Sequence, residues 1–84
     1  MSNRSVAGSV ALITGAGSGM GAATAGVFAA EGAQVALTDL KLETVAPIAQ
    51  SLREQGFAAE AWAMDVSDPE AIRTVVDTVA VHFG

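Results

Sequence analysis

Eighty-four residues make one small domain rather than two, and 51 % hydrophobic with 15 % charged residues describes a folded, well-buried chain rather than a disordered one. The absence of cysteine excludes a disulfide framework and a thiolate metal site, and a lone histidine, His82, excludes a multi-histidine metal site. The net charge of −5, with Arg4, Lys41, Arg53 and Arg73 scattered, excludes a basic patch for a nucleic-acid backbone.

No apolar run approaches the roughly 18–20 residues that a membrane span requires. The polar start, Met1 to Ala7, lacks the apolar stretch of a signal peptide and is expected to fray. The expectation is a soluble, cytoplasmic protein without a membrane partner.

After Gly8 comes a short apolar run, and the first strand is expected over Ser9 to Thr14. Continuous apolar character suits a strand covered on both faces, as in a parallel sheet. Thr14-Gly15-Ala16-Gly17-Ser18-Gly19-Met20-Gly21 follows, and a helix is predicted from Ser18 or Gly19 to Glu31 with Gly32 at C′. Met20, Ala23, Val27 and Ala30 form its expected inward stripe. Gln34 to Thr38 reads as the second strand, ending at Asp39.

Pro47 complicates the second helix, because a mid-helix proline costs about 3 kcal/mol. Two starts are compatible with it. Thr44 as N-cap puts Pro47 in the first turn, whereas a start near Lys41 puts a kink at Pro47. Gln55-Gly56 closes the helix in either case. The third strand is expected over Ala58 to Met64, with Asp65-Val66 at its carboxyl end. Ser67-Asp68-Pro69-Glu70 reads as a capping box with Ser67 at N-cap and Glu70 at N3. Ile72, Val75, Val76, Val79 and Phe83 would line one face of the third helix.

The whole chain, 1–84, is therefore read as a single partial domain of α/β class. The order β-α-β-α-β-α implies a three-stranded parallel sheet in the order 3-2-1, a Rossmann-like half with right-handed crossovers. The first two helices would cover one face and the third would cross to the other. The outer edge of the first strand is left unpaired, which invites self-association.

A strand, a glycine-rich turn and a helix start in that order make a phosphate site. The first N–H groups of the helix have no partner within it, and its dipole favours an anion there. The acidic residues Asp39 and Asp65 end the next two strands, and in a parallel sheet all three carboxyl ends face one crevice. The spacing Thr-Gly-x-x-x-Gly-x-Gly, together with Asp39 and Asp65-Val66, resembles the short-chain dehydrogenase/reductase family from about Val6 to Gly84, the N-terminal cofactor-binding half of such an enzyme.

The resemblance implies that Gly15, Ser18, Gly19, Met20 and Gly21 surround the pyrophosphate and the adjacent ribose. It implies that Asp39 accepts hydrogen bonds from the adenosine ribose, and that Asp65 and Val66 hold the adenine. A carboxylate at Asp39 repels a 2′-phosphate, and Ser18 and Leu40, where the family carries a basic residue to receive one, are uncharged. NAD is therefore expected over NADP, with Lys41 the one nearby positive charge.

The family's chemistry uses a tyrosine, a lysine four positions later, a serine and an asparagine. These 84 residues hold no tyrosine, and their only lysine is Lys41. No catalytic residue is assigned, and the 84 residues by themselves are expected to be inactive. The expected function is the NAD(H)-binding portion of an oxidoreductase. The alternative is a stand-alone nucleotide-binding module that acts as a dimer or with a partner chain.

Overall fold

The computed structural model describes residues 8–84, so the polar start lies outside the described residues. The elements are β1 (Val10–Ile13), α1 (Gly19–Ala30), β2 (Gln34–Asp39), α2 (Leu42–Glu54), β3 (Ala59–Ala63) and α3 (Pro69–Phe83). β1 and β3 are thus each trimmed by a residue at both ends relative to the expected strands. Both pair in parallel with β2, with Ile13 opposite Leu37 and Leu37 opposite Ala61. The order β1-β2-β3 is the expected 3-2-1 sheet read from its other edge.

Alternation along each strand separates two cores. Val35 and Leu37 on β2 and Ala59 on β3 meet Ala25 and Ala29 of α1 and Val45 and Ala49 of α2. On the opposite face, Ala36 and Met64 meet Val75 and Val79 of α3, with Leu12, Trp62, Ile72 and Phe83 packed around them. The third helix has crossed the sheet, as the element order required. Thr38 is the one fully buried polar residue among those described, and its hydroxyl donates to Ile13 O at 2.8 Å, tying the ends of β1 and β2 together.

The inward face of α1 differs from the expected stripe. Met20, Ala23, Val27 and Ala30 are exposed, Met20 to 83 %, while Ala25 and Ala29 are buried and Phe28 packs against them. The helix is apolar on every side, so periodicity alone could not choose a face. Small side chains bring its backbone close to the sheet, Phe28 packs beside them, and Met20 and Val27 lie away from it.

α2 starts at Leu42 with Lys41 at the cap position, the earlier of the two starts. Thr44 could not cap well, because the N–H three residues on belongs to Pro47 and does not exist. Its hydroxyl instead donates to Lys41 O at 2.7 Å. Both α1 and α2 close on the same pattern. Ala33 N–H donates to Phe28 O and Gly32 N–H to Ala29 O, and Phe57 and Gly56 repeat this at α2, with the φ of Gly32 at 95°.

The cap of α3 is Asp68, not Ser67. Asp68 Oδ1 accepts from Glu70 N–H at 3.0 Å, and Pro69 takes the first helical position. Ser67 is diverted, since its hydroxyl donates to Asp65 Oδ1 at 2.6 Å and its N–H to the same oxygen at 2.9 Å. On α3, Val76 is 47 % exposed rather than buried. It borders an apolar groove of about 420 Å³ with Val10, Leu12, Val79 and Ala80, beside the free edge of β1.

Candidate functional site

Parallel strands put the carboxyl ends of β1, β2 and β3 at one end of the sheet. Two clefts meet there over Gly15. The first, about 320 Å³, is lined by Gly15, Thr38, Asp39, Leu40, Met64, Asp65 and Val66, with Thr14 at its edge. The second, about 420 Å³, runs past Ile13, Thr14 and Gly15 to Ser18, Met20, Gly21 and Thr24. Every residue singled out from the sequence lines one or both clefts except Gly19, which is the first residue of α1.

The turn between β1 and α1 is held by its backbone. Gly15 has φ of 62°, a left-handed conformation that a side chain disfavours. Ala16 N–H donates to Thr38 O at 2.9 Å and Ser18 N–H to Gly15 O at 3.1 Å. The Ser18 hydroxyl donates to Gly15 O and accepts from Gly21 N–H. Of the first-turn donors of α1, those of Ser18 and Gly21 are thus spent within the turn. The N–H groups of Gly19 and Met20 remain for an anion among the described residues. Nothing lies within 4 Å of where a Cβ of Gly19 would stand, so the backbone there is open to approach.

Gly21 plays a different part. A Cβ there would come within 2.8 Å of Ala16 Cα and closer still to Gly15 O. Its bare Cα lets the helix start cross over the turn, which is a packing role.

At the end of β2, Asp39 is fixed from two sides. Oδ2 accepts from Gly17 N–H at 2.9 Å and Oδ1 from Leu40 N–H at 2.7 Å. Each carboxylate oxygen can accept two hydrogen bonds, so each keeps one acceptor position. A carboxylate held this way suits a pair of neighbouring hydroxyls, one to each oxygen. Gly17 was not among the residues singled out from the sequence. Its need for a bare Cα arises from Asp39 and Thr44, which are distant along the chain, and the glycine count was the only signal that pointed to it.

At the end of β3, Asp65 holds Ser67 through Oδ1 alone. The Ser67 hydroxyl first, and the Ser67 N–H second, keep the Asp65 carboxyl below its ordinary value. Its Oδ2 is left for another donor. Leu40 and Val66, 63 % and 60 % exposed, present apolar side chains at the same cleft. A flat ring with an edge donor matches that combination. No group of three or more histidine, cysteine, aspartate or glutamate residues that could hold a metal occurs among the described residues. No helix among them is long and apolar enough to cross a membrane.

The family model described as short chain dehydrogenase matches residues 9–84. D-threitol dehydrogenase of Mycolicibacterium smegmatis is 42 % identical over 77 residues, which are 92 % of this chain and 30 % of that protein. The A-factor type gamma-butyrolactone 1′-reductase of Streptomyces virginiae is 48 % identical over 76 residues, 89 % of this chain and 29 % of the relative. Among solved structures, a short chain dehydrogenase/reductase from Burkholderia phymatum in complex with NAD superposes with a TM-score of 0.89 at 34 % identity, covering 95 % of this chain and 28 % of that one. A metagenomic short-chain oxidoreductase in complex with NADP gives 0.85 at 35 % identity, covering 95 % and 36 %. The chain spans only about 30 % of the length of these two curated relatives, and 12 % of others it matches.

Proposed function

The chain belongs to the short-chain dehydrogenase family, and on that premise we propose that it is the NAD-binding N-terminal portion of a dinucleotide-dependent oxidoreductase. One observation carries the reading. At the shared carboxyl end of the sheet, a turn with two unspent N–H donors adjoins a carboxylate, Asp39, whose oxygens each keep one acceptor position. The pyrophosphate would lie on the Gly19 and Met20 N–H groups, with the open backbone at Gly19 letting it approach. Gly15, Ser18 and Gly21 shape that cradle. The ribose diol would bond Asp39. Leu40 and Val66 would flank the adenine, and Asp65 Oδ2 would accept from its amino group.

The bound nicotinamide supplies the hydride chemistry. These 84 residues contribute binding and orientation, and their lack of tyrosine supports no turnover on their own. NAD is preferred over NADP because the fixed Asp39 carboxylate opposes a 2′-phosphate, and Leu40 and Ser18 offer it no positive charge. A cytoplasmic location is part of the same proposal. Association through the free edge of β1 is a subordinate proposal, motivated by the apolar groove beside it. Sedimentation that shows only monomer at high micromolar concentration would remove it.

The test of the main reading is titration with NADH and NADPH, following Trp62 and nicotinamide fluorescence, on the wild type and Asp39→Ala. Saturable binding that favours NADH is expected. Asp39→Ala should weaken NADH by roughly tenfold, the size of a lost hydrogen bond to a charged group, and leave NADPH unharmed or improved. An unchanged preference would take Asp39 out of the site.

A further inference from the structure

Gly17 is confined by two side chains from different elements. A Cβ built there would lie 2.6 Å from Asp39 Oδ2, 2.7 Å from Thr44 Oγ1 and 2.9 Å from Thr44 Cβ. Asp39 bonds Gly17 directly, through the 2.9 Å contact from its N–H. Thr44 makes no such bond. Its hydroxyl proton goes to Lys41 O at 2.7 Å, and its own N–H goes to the same carbonyl at 3.1 Å. Toward Gly17 it therefore offers shape, held in one rotamer.

The early start of α2 makes this contact. Helical side chains lean toward the N-terminus of their helix. Thr44, in the first turn, leans back toward the glycine turn.

We propose that Thr44 is a positioning residue for the ribose end of the cofactor, the stop against which the glycine turn rests so that Gly17 meets Asp39. The inference rests on the reading of Asp39 as the ribose carboxylate. The direction of the Gly17–Asp39 hydrogen bond decides which acceptor position of Oδ2 stays free. If the stop is removed, the turn can sink toward α2. Asp39 then loses the donor that orients it, although no atom touching the cofactor has been changed.

The test uses the full chain and four variants: Thr44→Ala, which removes Oγ1, the nearest atom of the stop, Thr44→Ser and Thr44→Val, which keep its shape near Gly17, and Asp39→Ala as reference. Two quantities are read. One is the exchange rate of the Gly17 amide proton by NMR without cofactor. The other is the ratio of NADPH to NADH dissociation constants.

Thr44→Ala should speed Gly17 exchange by about tenfold, the scale of one weakened hydrogen bond, and lower the NADPH/NADH ratio by several-fold. Thr44→Ser and Thr44→Val should stay near the wild type in both. If Asp39→Ala shifts the ratio while Thr44→Ala leaves exchange and ratio unchanged, the positioning role is overturned and the ribose reading stands. If Asp39→Ala shifts nothing, the ribose reading falls and takes this proposal with it. Should Thr44→Ala fail to fold by circular dichroism, Thr44→Leu serves in its place. It crowds Gly17 instead of releasing it, and unchanged amide exchange in that variant also overturns the proposal.

Discussion

On the α1/α2 side of the sheet, Val35, Leu37 and Val45 are fully buried, and two helices cover the strands. On the α3 side only Ala36, Met64, Val75 and Val79 are buried, and an apolar groove runs along the free edge of β1. The difference follows from topology. Two helices share one face of three strands, while one helix must cover the other. It bears on the site because every residue that positions Asp39 belongs to the better-covered side. The β1–α1 turn, β2 and the first turn of α2 lock one another, so the Asp39 carboxylate is held without help from the α3 face, whereas Asp65 and Val66 adjoin Met64 of the α3-side core.

Paired truncations sharpen this contrast most. Leu37→Ala should cost about 3–4 kcal/mol of stability, the range for a buried leucine whose cavity cannot collapse. Val76→Ala, on the α3 face, should stay within about 0.5 kcal/mol. Urea unfolding followed by Trp62 fluorescence measures both, and equal losses would erase the distinction between the faces.

Gly21→Ala comes next. Its new Cβ would meet Ala16 and the Gly15 carbonyl, which are backbone and cannot swing aside. A loss of about 2–3 kcal/mol is expected, together with weakened dinucleotide binding. A variant as stable as the wild type would show that the helix start can shift freely.

The cap of α3 offers a smaller effect with a clear sign. Asp68→Ala should cost about 1 kcal/mol, and Ser67→Ala less, because only Asp68 accepts from the helix. The reverse ranking would restore the capping box anchored on Ser67.

The smallest effect concerns pH. The Asp65 carboxyl is lowered from 3.8 by Ser67, so its contribution to stability is complete above that value and is lost as pH falls through the lower folded value. The stability gap between the wild type and Asp65→Asn should be constant above about pH 5 and close in more acid solution. A gap that widens toward acid would contradict the bonding seen at Asp65.

Much of the fold was legible along the chain. Alternating strand and helix patterns, each closed by glycine or opened by a cap, specify six elements and a parallel sheet. The passage of α3 to the second face follows from the same order. The face of α1 was not legible, because a helix of alanine, glycine and valine presents apolar residues on every side. The cap of α3 was misplaced by one residue because Ser67 and Asp68 are both good caps. Asp65, from the preceding strand end, decides between them by taking the Ser67 hydroxyl. At the clefts, Gly15, Ser18, Met20, Gly21, Asp39, Leu40, Asp65 and Val66, which the motif and strand ends single out in the sequence, come together in space. Gly17 was not, since nothing in its own neighbourhood distinguishes it from the other glycines.

The amino-acid sequence by itself determined what is local: the glycine turn, the strand-end carboxylates, the helix ends and the order of the elements. Each of these follows from backbone preference or from a pattern spanning a few residues. Tertiary structure alone decided which side of α1 is inward, where α2 begins relative to the turn, and why Gly17 must be bare. Those answers depend on contacts between segments far apart in the chain, such as Asp39 and Thr44 closing on Gly17, and only close packing brings such segments within reach.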